Sequence, residues 1–175
     1  MRIFISGGCK NGKSTYAQQL AKQQGQGESP LYYIATMKPV DNEDDERILR
    51  HQQERDGWGF TTIEQPNNIA EILQCCEHSG SFLLDSLTAL LANEMFLSNG
   101  EIIENAHEKI AVELVQIFQK IQNIVVVSDY IYSDAILYDP LTEIYRKALA
   151  TLDRLAAKHC DKVLEVTYAQ INTIR

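Results

Sequence analysis

The sequence predicts an α/β fold of three layers, with a mostly parallel central sheet between helices. Two observations carry this. Residues 7–14 read Gly7-Gly8-Cys9-Lys10-Asn11-Gly12-Lys13-Ser14, a G-x-x-x-x-G-K-S pattern set between a short apolar run and a segment of helical periodicity. Beyond it, apolar runs alternate with helical patterns almost to the C-terminus, the order that βαβ units with right-handed crossovers produce. Together they specify a P-loop NTPase-type three-layer fold, and 175 residues suit one nucleotide-binding domain over 1–175.

The elements follow in order. Arg2-Ile3-Phe4-Ile5 supplies the first strand. Gly7 and Gly8 let the backbone bend through conformations that a side chain forbids. Backbone N–H groups then point at phosphate oxygens, at the positive end of the next helix. Residues 15–23 hold no Gly or Pro, and Tyr16, Leu20 and Ala21 fall at helical spacing. Leu31-Tyr32-Tyr33-Ile34-Ala35 reads as a second strand. Residues 43–54 are strongly charged and read as an exposed helix, broken by Gly57 and Gly59. Thr61-Thr62-Ile63 reads as a short strand that Pro66 ends. Residues 69–76 read as a helix with Ile69, Ile72, Leu73 and Cys76 on one face. Ser81-Phe82-Leu83-Leu84-Asp85 is a buried strand, followed by helices over 87–96 and 102–121. Ile124-Val125-Val126-Val127-Ser128 is the clearest strand, β-branched and uninterrupted. A helix over 141–159 and a strand over 162–167 close the pattern. Ligands of parallel sheets bind at the carboxyl ends of strands, so the P-loop, Thr36, Asp85 and Asp129 are expected along one rim.

Composition narrows the function. The net charge of −8 opposes a long nucleic-acid footprint, which needs a basic stripe, but leaves room for a nucleotide site. Cys9, Cys75, Cys76 and Cys160 form no C-x-x-C pair, so zinc has no support. Adjacent Cys75 and Cys76 are poorly placed to bond each other, and reduced thiols in a cytoplasmic protein is the simple reading. No apolar run approaches the roughly 20 residues of a membrane span, and the early glycines and lysines leave no signal-peptide core.

The motif assigns chemistry directly. Lys13 is expected to reach the β- and γ-phosphates of a nucleotide, and the Ser14 hydroxyl to ligate Mg²⁺. Binding in such a loop uses backbone N–H groups, so the Cys9 side chain is expected to point away from the phosphates. Asp85 ends an apolar strand, where P-loop proteins place an acid that holds Mg²⁺. Capping the helix that starts at Leu87 is its other reading, and the two are compatible. His51 lies in the charged run Glu43-Asp44-Asp45-Glu46-Arg47-Ile48-Leu49-Arg50-His51; by spacing alone it is a solvated side chain. His78, His107 and His159 have no local partners in the sequence.

Several blocks resemble one family in order and spacing. They are Ser6 to Ser14, Tyr33-Ile34-Ala35-Thr36, the run Asp41, Glu43, Arg47-Ile48 and His51, then Thr62-x-Glu64-x-Pro66, Leu83-Leu84-Asp85-Ser86-Leu87-Thr88 with Asn93, and Val125-Val126-Val127-Ser128. From Arg2 to about Val166 the chain resembles the bifunctional adenosylcobinamide kinase / adenosylcobinamide-phosphate guanylyltransferase family of cobalamin biosynthesis. The resemblance implies phosphorylation of the aminopropanol hydroxyl of adenosylcobinamide by ATP or GTP. GMP then passes from GTP to that phosphate, carried on a histidine that His51 matches. It implies nucleotide contacts at Ala35, Thr36, Arg55 and Glu64. A Glu64 carboxylate suits the N1–H and N2–H₂ edge of guanine, or is a surface carboxylate. It also implies a homo-oligomer, a trimer. Two other readings remain: a P-loop kinase of another small hydroxyl compound without guanylyl transfer, and a non-catalytic nucleotide-binding homologue.

The match breaks after Ser128. The family has Asn-Glu-Val-Gly and then Gly-Ile-Val-Pro; this chain has Asp129-Tyr130-Ile131-Tyr132, then Ser133-Asp134-Ala135-Ile136-Leu137. The family's Arg-x-Phe-Arg-Asp becomes Glu143-x-Tyr145-Arg146-Lys147, and a later Asn-Gln becomes Asp153-Arg154. The nucleotide half of the site is therefore expected intact, and the acceptor half altered. The missing rim glutamate could remove a metal ligand or base, and Asp129, one position earlier, is the candidate to stand in for it.

Overall fold

A computed structural model describes residues 1–25, 29–39, 49, 53 and 55–175. Among them seven strands form one sheet: β1 Arg2–Gly7, β2 Leu31–Ala35, β3 Thr61–Glu64, β4 Ser81–Asp85, β5 Asn123–Asp129, β6 Lys162–Thr167 and β7 Gln170–Thr173. Their order is β3-β2-β4-β5-β1-β6-β7. The first six are parallel, and β7 returns antiparallel to β6. The helices are α1 Lys13–Gln24, α2 Ile72–Cys75, α3 Leu87–Met95, α4 Ala106–Lys120 and α5 Pro140–His159.

The alternation of side chains along the strands builds two cores. Ile3, Ile5, Tyr33, Leu83, Val125, Val127, Leu164 and Val166 share one face and pack with Ala17 and Ala21 of α1. Register lines these rows up: Ile3 pairs with Val125, Ile5 with Val127, and Tyr33 with Leu83. Phe4, Ile34, Phe82, Leu84, Ile124 and Val126 face the other way into a larger core roofed by α3, α4 and α5. Most of these side chains are fully buried, and each Leu or Ile so placed contributes about 1.5–3 kcal/mol. Small Ala17 and Ala21, one helical turn apart, let α1 lie close on the sheet, while the expected Tyr16 and Leu20 are only partly buried.

Three local departures have physical causes. The helix expected over 69–76 is a 3₁₀ turn, Ile69–Glu71, followed by the single turn α2. Asn68 enters it in the left-handed region (φ 48°) and Cys76 leaves it extended, so the piece has no room to lengthen. The helix expected from 102 starts at Ala106, because Ile102 bridges Phe96 and the Ile103 N–H donates to the Met95 carbonyl at 2.8 Å. Strand β7 was not foreseen. Its two-residue turn is made by Tyr168 (φ 50°) and Ala169 (φ 57°), without the Asn or Gly that usually marks such a turn. The helix expected over 43–54 lies outside the described residues except for Leu49 and Gln53, both helical.

Candidate active site

Strands β1, β2, β3, β4 and β5 run parallel and end together, at Gly7, Ala35, Glu64, Asp85 and Asp129. Register sets Gly7 opposite Asp129, and Ala35 opposite both Asp85 and Glu64. The expected rim is therefore present, and Ala35 and Glu64 lie on it. Exposed Glu64 stands at its outer end.

The P-loop bends differently from expectation. Left-handed backbone falls at Lys10 (φ 56°) and Gly12 (φ 86°), not at Gly7 and Gly8. Gly7 is needed for closeness: a Cβ there would lie 2.4 Å from the Val166 carbonyl oxygen and 2.6 Å from Asn11 Nδ2. A Cβ on Gly8 would meet nothing within 4 Å, so that position opens toward solvent and a ligand. Asn11 braces the loop, donating through Nδ2 to the Val166 carbonyl at 2.5 Å and accepting the Lys13 N–H on Oδ1 at 3.3 Å. Gly12 caps α1 without a side chain. Cys9 is an exposed free thiol, and Ser14 is half-buried in the first helical turn.

Lys13 is 5% exposed. Its Nζ donates to Asp129 Oδ1 at 2.5 Å and to the Gly8 carbonyl at 2.8 Å. Asp129, which ends the most legible strand, thus enters the site through an ion pair with the P-loop lysine. Asp85 accepts a hydrogen bond from the Tyr33 hydroxyl on Oδ2 at 2.9 Å. It does not cap α3; Ser86 does, accepting the Ala89 N–H at 3.3 Å. Thr36 is buried. Its Oγ1 donates to the Ser86 carbonyl at 2.8 Å and accepts the Ser86 N–H at 2.7 Å, so its hydroxyl ties β2 to β4.

Arg55 is 8% exposed, its guanidinium 3.6 Å over the Tyr33 ring. Phe60 meets the same ring edge-on at 6.1 Å. Arg55, Asp56, Gly57, Gly59, Phe60 and Thr62 line an open cleft of about 440 Å³, within the size range of small-ligand sites. Tyr33 therefore joins the Arg55 cleft to the Asp85 carboxylate. Sequence reasoning missed it, because nothing in Tyr32-Tyr33 tells which ring faces α1. His51 lies outside the described residues.

The residues that depart from the resemblance sit behind Asp129. Tyr132 donates to Asp153 Oδ2 at 2.7 Å, Tyr145 donates to the Thr88 carbonyl at 2.8 Å, and Thr88 Oγ1 accepts the Asp129 N–H at 2.9 Å. Asp153 is 3% exposed and its Oδ1 has no partner. Burial pushes its carboxyl up to about 6, aided by the nearby Asp129 charge. The Tyr132 hydroxyl and the nearby Ser128 oppose the shift, although Ser128 Oγ makes no hydrogen bond. Burial, with Asp129 and Asp153 close by, also raises the Tyr145 hydroxyl. Arg146 pins the segment in front, donating to the carbonyls of Ile131, Ile136 and Asp134 and pairing with Glu143 at 2.6 Å and Asp134 at 3.0 Å.

Comparison with solved structures supports the fold alone. The flagellar accessory protein FlaH of Methanocaldococcus jannaschii superposes with a TM-score of 0.53 at 13% identity, covering 99% of this chain and 77% of that one. The KaiC-like protein PH0186 of Pyrococcus horikoshii gives 0.52 at 10%, covering 99% and 79%. Among curated proteins, the bifunctional adenosylcobalamin biosynthesis protein CobP of Pseudomonas aeruginosa is 34% identical over 109 residues, 62% of this chain and 61% of its own. The protein of the same description named CobU, from Escherichia coli, is 30% identical over 103 residues, 58% of this chain and 54% of its own. The matched stretches thus span less than two thirds of either relative. A single family model accounts for residues 3–171, nearly everything from β1 to β7, and the chain belongs to that family, cobinamide kinase / cobinamide phosphate guanyltransferase.

Proposed function

We propose that this chain phosphorylates the aminopropanol hydroxyl of adenosylcobinamide with ATP or GTP, then transfers GMP from GTP to the new phosphate. What supports this is the order of the strand ends in a member of that family: the P-loop leads from β1 into Lys13 and Ser14 at the start of α1, and Asp85 ends β4 on the same edge of the sheet. The P-loop N–H groups of residues 8–14 and Lys13 bind the phosphate chain. In the first reaction the acceptor oxygen attacks the γ-phosphorus. The bond to the bridging oxygen breaks, nucleoside diphosphate leaves, and the hydroxyl proton passes to solvent. In the second, a neutral His51 imidazole attacks the α-phosphorus and pyrophosphate leaves. The acceptor phosphate then takes GMP and frees the imidazole. Negative charge on pyrophosphate is what Lys13 and the loop stabilise. Arg55 and Glu64 belong to the nucleoside end of the site, with Ala35 and Thr36 fixing the strand ends between.

The donor set also fits Mg²⁺. A serine hydroxyl and a carboxylate are hard oxygen ligands, and Mg²⁺ takes one or two of these together with phosphates and water. Among the described residues no cluster of three or more His, Cys, Asp or Glu offers an alternative metal site. Ser14 and Asp85 would hold the ion, and its charge would offset that of the phosphates. As for setting, we place the chain in the cytoplasm as a homo-oligomer, a trimer, acting on a corrinoid and not on nucleic acid. Its four cysteines are free, and no helix among the described residues is long and apolar enough to cross a membrane.

The rewritten segment favours a second reading. Asp129, Tyr132, Tyr145 and Asp153 change the acceptor side, which suits phosphorylation of another small hydroxyl compound without guanylyl transfer. Incubation with adenosylcobinamide, GTP and Mg²⁺, with products resolved by chromatography and mass, separates the two. Adenosyl-GDP-cobinamide supports the first reading. Cobinamide phosphate without guanylylation removes the guanylyl-transfer half of the first reading, and nucleotide turnover with no corrinoid product rules out the first and favours the second. Lys13→Ala should abolish both steps.

A further inference from the structure

The P-loop lysine already has an anion beside it. Lys13 Nζ contacts Asp129 Oδ1 at 2.5 Å and the Gly8 carbonyl at 2.8 Å. The backbone fixes this arrangement: Asp129 lies opposite Gly7 in register, its N–H donates to Thr88 Oγ1 at 2.9 Å, and the Tyr130 N–H donates to the Gly7 carbonyl at 3.3 Å. With Lys13 at 5% and Asp129 at 17% exposure, the pair is shielded from water and its attraction is stronger than at a surface. An ammonium has three donor protons, and two of these are already engaged.

A nucleotide bound in this loop brings its β- and γ-phosphates to Lys13. Those phosphates then compete with Asp129 for one ammonium, and a carboxylate within hydrogen-bond reach of it stands against phosphate oxygens of like charge. A nucleoside monophosphate brings no β- or γ-phosphate to the lysine. From this geometry we infer that Asp129 determines specificity by phosphate number: it weakens the hold on triphosphates and pyrophosphate, speeds their release, and leaves monophosphate binding untouched. The inference rests on the nucleotide-binding reading above.

Calorimetric titration of GTP, GMP and inorganic pyrophosphate, each with Mg²⁺, tests it on the wild type, Asp129→Asn, Lys13→Ala and the double variant. Asp129→Asn should tighten GTP and pyrophosphate by about tenfold and change GMP by less than about twofold. The gain should vanish when Lys13 is also replaced, since the effect acts through that side chain. Asp129→Ser serves if the Asn variant does not fold, with melting curves as the check. If both variants bind GTP and pyrophosphate no tighter than wild type, or if GMP tightens equally, the inference is wrong. Wild type that binds pyrophosphate but no nucleotide would remove the nucleotide reading while the Asp129 comparison still stands on pyrophosphate. Binding of none of the three would remove both.

Discussion

The Tyr33 hydroxyl donates to Asp85 Oδ2 at 2.9 Å, while the other side of its role is a ring that carries the Arg55 guanidinium at 3.6 Å. One side chain thus orients the carboxylate proposed for Mg²⁺ and supports an arginine proposed for the nucleotide. A hydrogen bond to a charged group contributes roughly 1.5–3 kcal/mol. Tyr33→Phe keeps the ring and removes this bond. It should raise the Mg²⁺ concentration needed for half-maximal turnover by about tenfold, with the KM for GTP at saturating Mg²⁺ nearly unchanged. Tyr33→Leu should raise that KM as well. Kinetics over a Mg²⁺ series check both, and an unchanged Mg²⁺ requirement in Tyr33→Phe would sink the positioning role.

The two adjacent glycines should behave differently. Gly7→Ala places a Cβ 2.4 Å from a backbone oxygen, which cannot step aside cheaply. Strain of this kind costs about 1–3 kcal/mol or more, so the variant should melt lower and lose nucleotide binding. Gly8→Ala meets open space. It should keep wild-type stability and lose affinity only where a ligand needs the room. Melting curves with and without GTP distinguish the two, and equal destabilisation would contradict the geometry.

Asp153 predicts a pH dependence of stability. Its carboxyl moves from an ordinary 3.8 when unfolded to about 6 when folded. Between these values the folded protein holds a proton that the unfolded chain releases. Stability therefore falls as pH rises through that window, and the full cost stands above about pH 6. Asp153→Asn keeps an acceptor for Tyr132 and removes the charge. It should gain about 3 kcal/mol at pH 8 and little below pH 4. Denaturant unfolding at both pH values decides this; an equal effect at both would mean the shift is absent.

What could be read in the sequence followed its strongest local signals. The P-loop, the uninterrupted strand 124–128 and the amphipathic helix 141–159 each state their element through composition and period, and register then makes the rim. The 69–76 segment kept its apolar face but not its length, since periodicity reports the face and says nothing of how Asn68 and Cys76 end it. Strand β7 was hidden because Tyr168 and Ala169 take left-handed turn positions without the usual residues. Lys13–Asp129 and Tyr33–Asp85 are contacts between strands and loops far apart in sequence. They appear only once the parallel register brings Gly7 beside Asp129 and Ala35 beside Asp85. The role of His51 rests on family resemblance, as charge and spacing alone read it as a solvated side chain.

The measurement closest to the central claim is covalent labelling. Purified protein is incubated with α-³²P-GTP and Mg²⁺ and run on a denaturing gel. The account predicts label that survives alkali, is lost in acid and is absent from His51→Ala, the behaviour of a phosphoramidate on that histidine. Protein that binds GTP yet takes up no label, or label that persists in His51→Ala, would contradict it.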